Sequence, residues 1–162
     1  MSENILQNII EKKIEKVDKL KKSLDIKNLD KLIIENSTYI NFKEKIENNI
    51  KNNKTSIIAE IKKASPSAGI IFDDYQPLKI AKIYNDNNVT CLSVLTEEDF
   101  FLGSLKHIDQ IKKEIKLPIL CKDFFISNRQ VYSARSNGAD AILIILAAVS
   151  DIMANELYET AL

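Results

Sequence analysis

From residue 57 to the end of the chain, short apolar runs alternate with helical segments four times over. Few folds accept that order. The runs begin at Ile57, Cys91, Pro118 and Ala141 and extend to Lys62, Thr96, Lys122 and Ala147. Between them the spacing predicts helices from Pro77 to about Asn85, from Leu105 to about Ile115, over 128–136, and from the Ser150 cap onward. Gly138 stands where a helix C′ glycine belongs. Right-handed strand–helix–strand connections make such strands parallel, with the helices outside. No GxGxxG follows any of the runs, so nothing favours a dinucleotide-binding doubly wound sheet. The remaining α/β solution is a (β/α)8 barrel, which usually needs about 250 residues. The chain has 162, room for about four βα units, or half a barrel.

Residues 1–54 precede this repeat and read as a helical extension, with the half-barrel over 55–162. Ile5, Ile9, Ile10, Ile14, Val17 and Leu20 recur at helical spacing, with Lys and Glu between them. Glu15 and Lys19 have the spacing of a favourable helical ion pair. A second helix is expected from Leu29 to Asn36. A third is expected to start at Asn41, which has capping-box spacing to Glu44, and to run to about Ile50. The lysine-rich face of the first helix is read as solvated.

Lys+Arg and Asp+Glu balance at 23 each. Bulk charge therefore suggests neither a nucleic-acid binder nor a membrane-surface protein. No apolar stretch reaches the ~18 residues of a membrane span, and the N-terminus lacks a signal-peptide core. Cys91 and Cys121 lie in strand-like runs without metal-like or CxxC spacing, and read as reduced buried thiols of a cytoplasmic protein.

The residues with chemical content lie at the ends of the first and third runs. Glu60 and Lys62 are two apart, so in a strand they share a face. The third run ends in Lys122-Asp123. Barrel enzymes carry their catalytic groups at the C-terminal ends of strands, and inward side chains of alternate strands share layers. Lys62 and Lys122 are therefore expected to face one pocket, with Glu60 a layer below and able to pair with either. A lysine disfavoured as a cation by a like charge or by burial can deliver a proton near neutral pH, and one that stays charged binds carboxylate or phosphate. The same placement also fits a structural ion pair at the barrel mouth. Ser65 and Ser67 could donate to an anion or simply shape a turn. Phe124 shares the parity of Lys122 and fits an aromatic-pocket wall or the core. Asp123 points the other way and is read as a loop anchor. His107 is read as a packing residue of its helix, and Thr96-Glu97-Glu98-Asp99 as a solvated loop rather than a metal cluster.

Four segments then show a family resemblance. Ile57-Ile58-Ala59-Glu60-Ile61-Lys62-Lys63-Ala64-Ser65-Pro66-Ser67 resembles the first-strand signature of indole-3-glycerol phosphate synthases. Leu92-Ser93-Val94-Leu95-Thr96-Glu97 with Phe100-Phe101-Leu102-Gly103-Ser104 resembles that family's second strand and loop. Leu117-Pro118-Ile119-Leu120-Cys121-Lys122-Asp123-Phe124 resembles the third strand, and Gly138-Ala139-Asp140-Ala141-Ile142-Leu143 the fourth. The helical extension also fits the family.

The resemblance implies a lyase of tryptophan biosynthesis. Such an enzyme closes the indole ring of 1-(2-carboxyphenylamino)-1-deoxyribulose 5-phosphate, a small anionic phosphorylated substrate, with no metal or cofactor. It implies Lys122 as general acid, Lys62 as the holder of the anthranilate carboxylate, and Glu60 as the group that orients both. It also implies Ser65 in a loop near the carboxylate and Phe124 in the aromatic pocket. The family's second catalytic glutamate and its phosphate site belong to later strands and loops, beyond Leu162, so the 162 residues alone are expected to be inactive. Two alternatives stand beside this reading: a non-catalytic half-barrel that self-associates through its open edges, and another barrel enzyme acting on phosphoribosyl compounds.

Overall fold

The computed structural model describes residues 3–23, 31, 33–34 and 39–162. Helix α1 spans Glu3–Ser23 and α2 Phe42–Lys51. The Asn41 side chain accepts from the Glu44 N–H at 3.0 Å, as its cap spacing predicts. The helix expected from Leu29 to Asn36 falls mostly outside the described residues.

The alternating repeat follows. Strand β1 (Ile58–Ile61) leads into a short antiparallel hairpin of β2 (Ala64–Ser65) and β3 (Gly69–Ile70), then α3 (Pro77–Asp86). Next come β4 (Cys91–Leu95), α4 (Leu105–Lys112), β5 (Ile119–Lys122), α5 (Asn128–Ser136), β6 (Ala141–Ile142), a 3-10 turn (Leu146–Ala148) and α6 (Asp151–Ala161). Pro77 occupies the first turn of α3. Ser104 and Ser150 cap α4 and α6 through their hydroxyls. Gly138 takes a φ of +96°, the left-handed conformation that ends α5.

Strands β1, β4, β5 and β6 form one parallel sheet in that order. This is the α/β arrangement of a partial (β/α)8 barrel, with sequential parallel strands and helices on one side. Ala59, Ile61, Leu92, Val94, Ile119 and Cys121 alternate with the opposite face and meet Ile108, Ile111, Val131 and Leu157 of the helices in one core. In the same registers Glu60 sits beside Ser93, and Lys122 beside Leu95, on the inner face.

Three details differ from the sequence reading. The Ser-Pro-Ser-x-Gly loop contains the β2–β3 hairpin, closed by Gly69 at φ +65° and by the Ile71 N–H donating to the Lys63 carbonyl. Only Ala141 and Ile142 of the fourth run pair as strand, and the backbone then turns into the 3-10 segment. Helix α4 ends at Lys112, after which its last turn tightens, with Glu114 donating to Ile111.

The extension packs closely on the repeat. In α1, Ile9 and Val17 are buried, and so is Lys13, one turn from each. The helix lies against α5 and the loops that follow β4 and β5. The solvated-face expectation therefore fails at position 13. At the other end of the sheet, Asn49 of α2 donates to the Thr90 hydroxyl, and the Ile40 N–H donates to Asp140.

Candidate active site

Strand parity delivers Glu60, Lys62 and Lys122 to one place. The Lys62 ammonium donates to Glu60 Oε1 at 2.7 Å, and the Lys122 ammonium to Oε2 at 2.8 Å. One carboxylate thus joins the ends of two strands that are not adjacent in the sheet, with β4 between them. The sequence allowed Glu60 either partner, and it takes both. The Tyr84 hydroxyl donates to the Glu60 carbonyl oxygen at 3.3 Å and ties this part of β1 to α3.

Burial alone would raise the pKa of Glu60. The hydrogen bonds from Lys122 and Lys62, with their charges, outweigh burial and hold it below its ordinary value. The carboxylate therefore stays ionised at neutral pH and keeps both ammonium groups aimed inward. All three side chains remain partly open to solvent, Glu60 at 31% and Lys122 at 39% exposed, so a ligand can reach them.

The trio lines a cavity of about 170 Å³, walled by Leu95, Phe101, Phe124 and Ile145. That is smaller than the ~300–1,000 Å³ typical of small-molecule sites. Phe124 is buried and faces Phe101 with ring centroids 6.3 Å apart. Ser65 stands apart from this lining: in β2 its hydroxyl accepts the Ala68 N–H at 3.1 Å and lies 3.4 Å from Ser67 Oγ.

Two expectations about neighbours divide. Asp123 is an anchor, accepting from the Thr96 hydroxyl at 2.9 Å and the Phe124 N–H at 2.7 Å, and pairing with Lys13 at 2.6 Å. The solvated-loop reading of Thr96-Glu97-Glu98-Asp99 holds for Glu98 but fails for Thr96 and Glu97, which are 2% and 1% exposed. Glu97 is affordable inside because it accepts the N–H groups of Asp99, Phe100 and Phe101, which bend the loop around it. Glu98 and Asp99 both pair with Lys16 at 2.7 Å. His107 packs edge-on against Tyr75, 5.5 Å between centroids, away from the trio. Among the described residues no group of three or more His, Cys, Asp or Glu side chains is placed to hold a metal.

Sequence reasoning missed Lys13 and Glu97. A signal existed for Lys13: it sits four residues from both Ile9 and Val17, on the stripe that packs inward. For Glu97 the only cue was its place before two phenylalanines and Gly103.

A family model for indole-3-glycerol phosphate synthase matches residues 6–162. A curated synthase of that name from Microcystis aeruginosa is 42% identical over 151 residues, 92% of this chain and 50% of the relative. One from Clostridium acetobutylicum is 45% identical over 146 residues, 90% of this chain and 51% of the relative. One from Neisseria meningitidis serogroup B is 40% identical over 146 residues, 90% of this chain and 56% of the relative. The chain spans about half the length of the curated relatives it matches. With its four motifs in order on consecutive parallel strands, the chain belongs to the indole-3-glycerol phosphate synthase family.

Proposed function

We propose that these residues form the acid-and-carboxylate half of an indole-3-glycerol phosphate synthase site. The reaction closes the five-membered ring of 1-(2-carboxyphenylamino)-1-deoxyribulose 5-phosphate and loses carbon dioxide and water. In the first step the aromatic carbon that bears the carboxylate attacks the ribulose carbonyl carbon, and the carbonyl oxygen needs a proton. Lys122 donates it. Lys62 holds the carboxylate until it leaves as carbon dioxide and the ring electrons return. Glu60 fixes both ammonium groups and is not consumed. Phe124, with Phe101, walls the aromatic ring, and Ser65 lies in the hairpin that borders the carboxylate side.

The observation that carries this reading is the single Glu60 carboxylate spanning two ammonium groups over an aromatic wall. The reading places residues 1–54 as an extension and 55–162 as the first half of the barrel. It also places the protein in the cytoplasm, in keeping with two free buried cysteines and no described helix long and apolar enough to cross a membrane. The reading expects its phosphate anchor and second glutamate in the half of the relatives that the chain does not match.

The test joins the 162 residues to the unmatched second half of the Clostridium acetobutylicum relative and follows indoleglycerol phosphate by fluorescence. The joined protein should turn over and the 162 residues alone should not. A folded joined protein that binds the substrate without product would count against the reading.

Self-association is a second proposal, favoured by β1 and β6 each pairing on one side only among the described residues and by Ile58, 48% exposed on the inner face of β1. Sedimentation of the 162-residue chain should show a dimer; a monomer at all concentrations rejects it.

A further inference from the structure

Lys13 reaches the site from outside the repeat. Its side chain is 6% exposed, and its ammonium lies 2.6 Å from Asp123 Oδ1 and 3.9 Å from Glu97 Oε1. Each of those carboxylates organises one loop. Asp123 follows Lys122 directly and accepts from Thr96, at the end of β4, and from Phe124. Glu97 gathers the N–H groups that place Phe100 and Phe101. The two loops so fixed carry both aromatic walls of the cavity, and one of them begins at Lys122.

Two nearly buried carboxylates this close to each other are tolerable only with a cation between them. Lys13 is that cation, on the same helical face as the buried Ile9 and Val17. Lys16, one turn along, offers an internal comparison. It joins the same helix to the same β4 loop, but through the solvent-facing Glu98 and Asp99, and its own side chain is 32% exposed.

We propose that Lys13 is a positioning residue of the site: by bridging Asp123 and Glu97 it locks the loops after β4 and β5, so that Phe101, Phe124 and Lys122 share one fixed geometry. Its effect on turnover rests on the functional reading above, whereas its effect on the loops does not. The helical extension is then a working part of the site.

Amide hydrogen exchange in the 162-residue chain tests the placement. In Lys13→Met, exchange at Phe100, Phe101 and Phe124 should quicken by about tenfold or more, while Leu92 and Ile119 in the strands stay within about threefold. Lys16→Met should leave all five near the parent. Unchanged loop amides, or equal quickening of loops and strands, overturns the proposal, the second because it would mean general loosening. Should Lys13→Met fail to fold, Lys13→Met/Asp123→Asn removes the nearer of the two charges left without Lys13 and faces the same criteria. In the joined protein, Lys13→Met should lower kcat by about tenfold to a hundredfold with KM within about threefold, since small misplacements of catalytic groups are costly. An unchanged kcat there also overturns it. If the loops loosen as expected but the unmutated joined protein makes no product, the functional reading has failed and the positioning stands.

Discussion

Glu60 gives one oxygen to each of two lysines, and that division has a pH signature. Its carboxyl is held below its ordinary value of 4.5, since the lysine hydrogen bonds and charges overcome the opposing effect of burial. The folded chain therefore binds this proton less readily than the unfolded chain. The resulting stability is present in full above the unfolded value and is lost as pH falls through the lower, folded one. The stability gap between the parent and Glu60→Gln, from urea unfolding, should be constant above about pH 5 and shrink below it. A gap that widens on acidification would contradict the assignment. The thiols give a second residue-scale prediction. Burial pushes Cys91 up to about 11 and Cys121 up to about 12. Because the thiolate is the reactive form, neither should be alkylated in the native chain at pH 8, and both should be in denaturant. At this scale parity was the legible part: Glu60 and Lys62 two apart in one strand, Lys122 at the end of another. Lys13 and Glu97 were not legible as a buried pair, because their burial depends on a contact between α1 and a loop some eighty positions away.

At the scale of elements, Gly103 shows what the β4 loop requires. Its N–H donates to the Glu97 carbonyl at 2.7 Å, and a Cβ there would strike the Leu95 carbonyl and come 2.8 Å from Thr96 Cα. Neither obstacle is a flexible side chain. Gly103→Ala should cost about 3 kcal/mol in chemical denaturation, at the upper end of overpacking costs; a change within about 0.5 kcal/mol would mean that the loop gives way. Helix limits were readable where a local rule sets them. Asn41, Pro77, Ser104, Gly138 and Ser150 each occupy the capping or terminal position that their chemistry favours. Strand limits were less readable. The run from Ala141 is apolar enough for seven strand residues, yet pairing stops at Ile142 and the backbone turns toward the 3-10 segment, a change that apolar composition alone does not mark. The β2–β3 hairpin was likewise hidden, because two-residue strands have no periodicity to detect.

Across the whole molecule, parallel strands with helices outside followed from alternation and handedness, and the sequential order β1-β4-β5-β6 from the choice of a barrel over a doubly wound sheet. How the extension attaches did not, because it depends on side chains distant in sequence. Asp140 is the clearest case. Its side chain is 0% exposed and accepts from Lys112 of α4, from the Ile119 N–H that opens β5, and from the Ile40 N–H ahead of α2. Asp140→Ala would leave Lys112, whose side chain is 8% exposed, without this partner. The expected cost is about 3–5 kcal/mol, the range for breaking a buried pair, read as a lower urea midpoint. A loss under about 1 kcal/mol would show that Asp140 does not hold these elements together.

The central claim is that two lysines on one carboxylate divide the chemistry, with Lys122 supplying the proton. The most direct measurement is the steady-state kinetics of Lys122→Met in the joined protein, beside its active parent. We expect kcat to fall by about a hundredfold or more, the contribution of a positioned acid, while KM moves far less because Lys62 and the aromatic wall remain. A kcat equal to that of the parent would contradict the account.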